Sequence, residues 1–327
     1  MNSVPRTSSR AGMLLAATAC VLVGASFTAG GALVDYPHAG GQALRYGAAC
    51  LLLLVPARRH AAARLRALGW RQWALAAAVA GVGMVGFNMS VLAAERSAQP
   101  AVPGVMVGCA PVVVAVLVPL ARGRRPAVTG TTAALLVAAG AFVVQGWGGS
   151  DGPGLFWSVM ALVGEVGFAL LAAPLVAPLG PLLLSTCVCG LAAAEAMVLG
   201  LAADGRAALR MPTGDEAMAL GWQAVVATVI GFVCWYAGMQ RLGAERATLF
   251  SGLIPVSAAV TAPLVSLGTF GAAQLAGGVL VAAGVAVGAG AQGPRRRPVS
   301  SERAGKAPVA TVPEAGRVPV LADRFGG

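Results

Sequence analysis

The fold class this sequence predicts is an all-α polytopic membrane protein of ten transmembrane helices, formed by one membrane-spanning unit written twice. Three observations predict it. Hydrophobic residues make up 57% of the 327-residue chain, charged residues 11%, and the mean hydropathy is +0.79, outside the balance of a water-soluble domain. About 20 mostly apolar residues cross roughly 30 Å of hydrocarbon, and ten such segments can be cut from the chain. The third observation is internal repetition. Gly108-x-x-Pro111-Val112-x-x-Ala115-Val116-x-x-Pro119-Leu120 recurs as Gly252-x-x-Pro255-Val256-x-x-Ala259-Val260-x-x-Pro263-Leu264 at a constant offset, 255 − 111 = 144. Without a gap, the same offset lays Leu136-Val-Ala-Ala-Gly140 over Leu280-Val-Ala-Ala-Gly284 and ends on Gly146 and Gly290. The register therefore holds across two spans and the loop between them.

Charged residues punctuate the spans in order. Arg6 and Arg10 precede span one, 13 to 33, which Asp35 follows; span two, 40 to 56, runs into Arg58, Arg59, Arg64, Arg66 and Arg71. Span three, 73 to 93, ends before Glu95. Span four, 101 to 121, is closed by Arg122, Arg124 and Arg125, and span five, 128 to 147, is followed by Asp151. Spans six and seven, 154 to 174 and 180 to 203, end at Asp204; span eight, 217 to 239, lies between Asp215-Glu216 and Arg241. Span nine, 246 to 268, starts at Arg246, and span ten, 271 to 290, ends before Arg295, Arg296 and Arg297.

The formal charge of +11 is thus placed on alternate loops. A solvated topological role for these arginines explains them better than nucleic-acid binding, and the positive-inside rule puts both termini in the cytoplasm. An even number of spans agrees. Arg10 followed by an apolar stretch and small residues also describes a secretory signal peptide, but cleavage would leave nine spans and flip the loop charges at one end. The resulting organisation is a cytoplasmic segment 1 to 12, a first repeat 13 to 147, a second repeat 154 to 290, and a tail 291 to 327. The tail is rich in Pro, Arg, Gly and Ser and has too little apolar content to offset ordering entropy. It reads as disordered and cytoplasmic.

Chemistry-bearing motifs are absent from the right contexts. Gly81-Val-Gly83-Met-Val-Gly86 matches a dinucleotide-binding pattern, yet that pattern needs a preceding strand, whereas here it lies within a span. Small residues at that spacing let helices approach closely. Cys20, Cys50, Cys109, Cys187, Cys189 and Cys234 all fall in apolar segments, where thiols behave as small hydrophobes. His38 and His60 are expected in loops on opposite sides, so they share no metal. No nucleophile and base fall at one depth, and no phosphate-cradling loop is present. The chain reads as neither an enzyme nor an ATP-driven pump, with no cofactor.

The polar exceptions inside the spans are the candidate site. Glu165 lies about 11 residues into span six, near the bilayer centre at about 1.5 Å per residue, and Glu195 has a similar depth in span seven. An ionised carboxylate there costs about 2.5 kcal/mol or more, so such groups usually face a cavity or a partner. The bland reading is a protonated carboxyl hydrogen-bonded to a neighbouring helix. Gln42 and Arg45 near the start of span two, Asn88 in span three and Gln145 in span five complete the set. Arg45 could neutralise an anionic substrate, pair with a carboxylate or snorkel to the interface. Among the aromatics, Trp157 and Trp222 fit the interfacial belt, leaving Trp235 as the cavity aromatic, with Phe168 and Tyr236 as lesser candidates. Pro111 and Pro255 fall mid-span at matching positions and are candidate hinges.

The duplicated unit resembles the EamA-type repeat of the drug/metabolite transporter superfamily. The resemblance is carried by Leu22-Val-Gly24-Ala-Ser26-Phe27, by Leu44-Arg45-Tyr46, by Trp235-Tyr-Ala-Gly-Met-Gln-Arg-Leu-Gly-Ala, and by the Pro255 segment with its Gly-rich last span. It covers essentially residues 13 to 290. What it implies is a ten-helix fold of two five-helix inverted repeats around a central cavity, and movement of small metabolites or drug-like molecules. Where family members commonly carry Gly-Glu after the proline-containing span, this chain has Arg124-Arg125 and Gly268-Thr269, so the resemblance lends no role to that glutamate.

The functional expectation is a secondary transporter, an exporter working by alternating access, with a cavity lined by Arg45, Asn88, Glu165, Glu195 and Trp235. Its expected partners are a small-molecule substrate and the lipid bilayer. Proton coupling and a homodimer are compatible with this reading rather than required by it. The alternative is a non-transporting scaffold or sensor on a degenerate transporter fold. Arginine outnumbers lysine 22 to 1, which with abundant Ala and Gly suggests a GC-rich bacterial genome and an inner-membrane location.

Overall fold

In lipid every backbone N–H and C=O must find an internal partner, which leaves helices as the form these apolar segments can take. The computed structural model describes residues 6–99, 101–146, 148–265 and 270–290, and among them there are helices, short turns and a single isolated bridge between Ala98 and Ser150, with no β-strand. The tail, with Arg295 to Arg297, and Gly268-Thr269 lie outside the described residues.

In chain order the helices are α1 (Arg6–Ser26), α2 (His38–Arg66), α3 (Trp70–Glu95), α4 (Ala101–Ala121), α5 (Val128–Gln145), α6 (Gly152–Asp204), α7 (Gly214–Leu242), α8 (Ala244–Leu264) and α9 (Ala272–Gly290). Seven of the described helices, from α3 to α9, are long and apolar enough to cross a membrane. α1 contains the shorter apolar helix Arg10–Ser26.

α6 runs for 53 residues and joins the two segments expected at 154 to 174 and 180 to 203. Its break is confined to Gly180, whose φ of 74° only glycine adopts freely. Pro178 and Pro181 flank that residue, and proline both lacks the N–H for the helix ladder and disfavours helical backbone before it. The loosened carbonyl of Leu179 accepts a hydrogen bond from Nη1 of Arg64 at 3.0 Å. α2 differs from expectation as well. It continues through Pro56 to Arg66, so His38 and His60 are not in loops but on one helix. Their 22-residue separation, about 33 Å at the helical rise, still keeps them from one metal.

The 144-residue offset is visible in the backbone. α3 carries a π-helical turn over Gly81–Gly86 and α7 one over Gln223–Ile230; adding 144 to 81 and 86 gives 225 and 230, inside the second. α4 is interrupted at Cys109, directly after Gly108, and α8 leaves a 3₁₀ turn at Gly252, where 252 − 108 = 144. Pro111 and Pro255 therefore sit in the first turn of a restarted helix, where a missing N–H leaves no ladder bond unmade.

Helix contacts repeat in the same way. A Cβ at Gly140 of α5 would come within 2.7 Å of the Gly277 carbonyl oxygen and of the Val281 nitrogen on α9. A Cβ at Gly284 of α9 would meet the Ala133 carbonyl oxygen at 2.7 Å and the Val137 nitrogen at 2.9 Å on α5. Since 281 − 137 = 144, 277 − 133 = 144 and 284 − 140 = 144, each contact is the other with the halves exchanged. In the Gly81 to Gly86 stretch, a Cβ at Gly83 would lie 2.7 Å from the Phe168 Cα on α6, so this glycine pattern serves close helix packing.

One capped helix start ties two connections together. Thr213 N–H donates to Glu216 Oε2 at 2.7 Å and Glu216 N–H to Thr213 Oγ1 at 3.5 Å, forming a capping box at the start of α7. Arg210 Nη2 donates to Glu216 Oε1 at 2.6 Å, and the Tyr36 hydroxyl donates to the Arg210 carbonyl at 2.5 Å. The chain between α1 and α2 is thereby held against the chain between α6 and α7. Thr213→Ala is expected to lower stability by about 1 kcal/mol, which thermal unfolding in detergent would register.

Candidate functional site

A cavity of ≈ 650 Å³ lies among the helices. Its walls take Gln42, Arg45 and Tyr46 from α2, Asn88 from α3, Glu165 and Phe168 from α6, and Gln223 and Trp235 from α7. It extends to Val34, Tyr36 and Arg96 at the ends of the helices. Beyond the Ala19 and Trp235 end of the lining α1 packs tightly on α7, where a Cβ at Gly238 would meet the Ala16 nitrogen at 2.9 Å; alongside the cavity α1 packs on α8, where a Cβ at Gly24 would run into the Ile254 carbonyl oxygen and Ser257 Oγ donates to the Val21 carbonyl at 2.7 Å.

Arg45 is held at the wall. Its Nε donates to Thr228 Oγ1 at 2.9 Å and its Nη1 reaches Gln42 Oε1 at 3.5 Å. Thr228 in turn donates to the Gln223 carbonyl, five residues back, at 3.0 Å. That spacing is available because residues 223 to 230 are π-helical; such turns are frequent at functional sites. The Arg45 guanidinium carbon lies 5.2 Å from the centre of the Tyr46 ring. Asn88 Nδ2 donates to the Tyr46 hydroxyl at 3.1 Å and to the Met84 carbonyl at 2.7 Å.

Aromatic rings form the wall near the carboxylate. Phe168, one turn after Glu165, lies 5.2 Å from Phe232, 5.7 Å from Tyr236 and 6.5 Å, stacked, from Trp235. Among the described residues no hydrogen bond or ion pair reaches the Glu165 carboxylate, and Arg45 has no carboxylate partner; the ion pairs are Arg122–Glu245 and Arg210–Glu216. Gln223 Oε1 and Trp235 Nε1 are buried in the cavity wall without partners.

Four of the five expected site residues, Arg45, Asn88, Glu165 and Trp235, line this one cavity. Glu195 does not. It faces Gly81 of α3, where a Cβ would lie 3.1 Å from its Oε2, and that oxygen is buried without a partner. Depth along α6 is one coordinate of a side chain and direction around the helix another, and the second turns Glu195 away from the cavity. Pro111 and Pro255 also lie outside the lining. Gln145 instead fills the space beside Gly104. Trp157 and Trp222 are exposed, as belt residues are.

Thr228, Gln223 and Phe232 line or support the site and are not singled out by the sequence reading, and His38, expected in a loop, lines it as well. The polar pair Gln223 and Thr228 in an otherwise apolar span was the available signal. Among the described residues no cluster of His, Cys, Asp or Glu could hold a metal.

Residues 152–288 match the EamA-like transporter family. That match and the apolar helices together support a multi-pass membrane protein, helical across its described spans. A solved crystal structure of a protein aligns with a TM-score of 0.72 at 20% identity, over 85% of this chain and 96% of its own. At that identity the likeness concerns the fold. No curated protein matches the chain.

Proposed function

We propose that this EamA-type chain is a secondary active transporter, an exporter of a small metabolite or drug-like molecule, working by alternating access with a proton taken up and released at Glu165. One observation carries the reading. The cavity draws Arg45 and Asn88 from one half and Glu165 and Trp235 from the other, opens at one end of the helices, and is closed at the other by α1 against α7.

The reading includes ten spans: α1 to α5, the two segments of α6, and α7 to α9. The reciprocal α5–α9 contacts and the π turns spaced by 144 support two five-helix repeats, 13 to 147 and 154 to 290, exchanged by an approximate two-fold axis. The arginine distribution supports a bacterial inner-membrane topology with both termini cytoplasmic. In that topology the cavity opens outward, and the packed end of α1 is the inner gate.

The test is flux into and out of proteoliposomes under an imposed pH gradient. Net substrate movement driven by the gradient supports the reading; its absence for every substrate of a broad metabolite set removes it. A companion expectation concerns Thr228→Val, which keeps shape and deletes the hydroxyl that holds Arg45. Losing a hydrogen bond to a charged group weakens binding by about tenfold or more. KM is expected to rise with little change in maximal rate or unfolding temperature.

A further inference from the structure

Resting on the transport reading, we infer that the connection between α1 and α2, residues 27 to 37, is a strap that closes over the open end of the cavity against α3. The segment belongs to that end. Phe27, Gly30, Leu33, Val34 and Tyr36 are in the lining, and α3 contributes Val91, Leu92 and Arg96 to it. The second repeat has a helix in its place: 27 + 144 = 171 and 37 + 144 = 181, and over those residues α6 stays helical apart from its break at Gly180. The strap is therefore a feature of one end of the molecule alone.

Its ends are fixed and its middle is not. At the α1 end, Ser26 Oγ donates to the Leu22 carbonyl at 2.9 Å. At the α2 end Tyr36 is buried: its hydroxyl donates to the Arg210 carbonyl, the Arg210 guanidinium carbon lies 4.6 Å from its ring centre, and a Cβ at Gly41 would come within 3.1 Å of the ring. Between these anchors Phe27–Leu33 is a seven-residue 3₁₀ helix, longer than the three or four residues that its poorer hydrogen bonds usually sustain. A Cβ at Gly30 would meet nothing within 4 Å, so no neighbour holds the middle in place. Two apolar side chains on the segment are left uncovered, Phe27 at 53% and Val34 at 79% exposure. Closing the strap onto Val91 and Leu92 of α3 would take apolar surface on both sides out of water while breaking few contacts.

The experiment uses the full-length chain carrying Val34→Cys and Leu92→Cys in proteoliposomes, oxidised with copper phenanthroline, with the bond identified by mass spectrometry. Flux is read as net movement of a mixture of amino acids, hexoses and nucleosides under an imposed pH gradient. The expected result is a disulfide between residues 34 and 92, which requires their Cβ atoms to come within about 4.5 Å, together with a flux lowered by at least about tenfold and restored by dithiothreitol. Restoration shows that the variant is folded. Val34→Cys alone, oxidised in the same way, is expected to keep its flux.

Absence of the disulfide, in a protein whose reduced form unfolds at the wild-type temperature, means that the strap does not reach α3 and overturns the inference. A disulfide that leaves flux undiminished overturns it as well, since a closed strap would then be no barrier. Flux absent from the wild type and from the reduced variant removes the transport reading and the gating role with it, while the disulfide still decides whether the strap closes.

Discussion

Replacing Glu165 by Gln is expected to reduce proton-driven net flux by at least about tenfold, a change of about 1.4 kcal/mol in the rate-limiting barrier. Glutamine keeps the shape and hydrogen-bonding capacity of the side chain but cannot take up or release a proton. In the wild type the carboxylate faces the cavity beside Phe168, with no basic partner among the described residues to hold it ionised. A group of that kind can exchange a proton for a ligand as the cavity changes sides. The substitution removes the exchange and leaves the fold intact, because no ion pair is broken. The unfolding temperature is therefore expected to be unchanged or slightly higher. Parallel measurements of gradient-driven flux and thermal unfolding decide the matter. Undiminished coupled flux would take Glu165 out of the mechanism, and a collapsed unfolding temperature would recast it as structural.

The second large effect is expected at the α5–α9 interface, far from any titratable group. Gly140→Ala places a methyl group about where the Gly277 oxygen and Val281 nitrogen already stand, 2.7 Å from its Cβ. Backbone atoms cannot rotate aside as a side chain would, so the two helices must separate. Overpacking of this kind costs about 1–3 kcal/mol. Gly284→Ala meets the Ala133 oxygen and Val137 nitrogen in the exchanged arrangement and is expected to cost the same amount to within about 0.5 kcal/mol, the usual scatter for independent sites. Gly130→Ala on α5, whose Cβ would meet nothing nearer than 4.0 Å, should instead be neutral or stabilising, since alanine is the better helix former. Unfolding in mixed micelles would compare the three. A harmless Gly140→Ala would show that the interface is looser than described, and unequal losses at 140 and 284 would break the symmetry argument.

Much of this architecture was legible because a membrane imposes one-dimensional rules. Spans are long apolar runs, loops carry the arginines, and a repeat survives as an offset. The 144-residue register found in Gly108 and Gly252 reappears in backbone breaks and π turns that no single-residue pattern displays. The break of α6 is blurred in the sequence: Pro178 and Pro181 signal a boundary, but only the positive φ of Gly180 locates the change of direction. In sequence α2 ends at 56 because arginines look like a loop, while their long stems let a helix continue past the hydrocarbon edge.

The site divides along the same line. From sequence alone came the depth of Glu165 and Glu195, the rarity of Arg45 and Asn88 among apolar neighbours, and the choice of Trp235 over Trp157 and Trp222. These follow from composition and a rise of about 1.5 Å per residue. Tertiary structure decided which of them share a cavity. The direction a side chain takes around its helix depends on where neighbouring helices touch, and those contacts are set by glycines such as Gly83 and Gly140, by the kink at Gly180 and by the π turn that brings Thr228 to Arg45. Glu165 and Glu195 have similar expected depth and different neighbours, because depth is written along a chain and azimuth only in its packing.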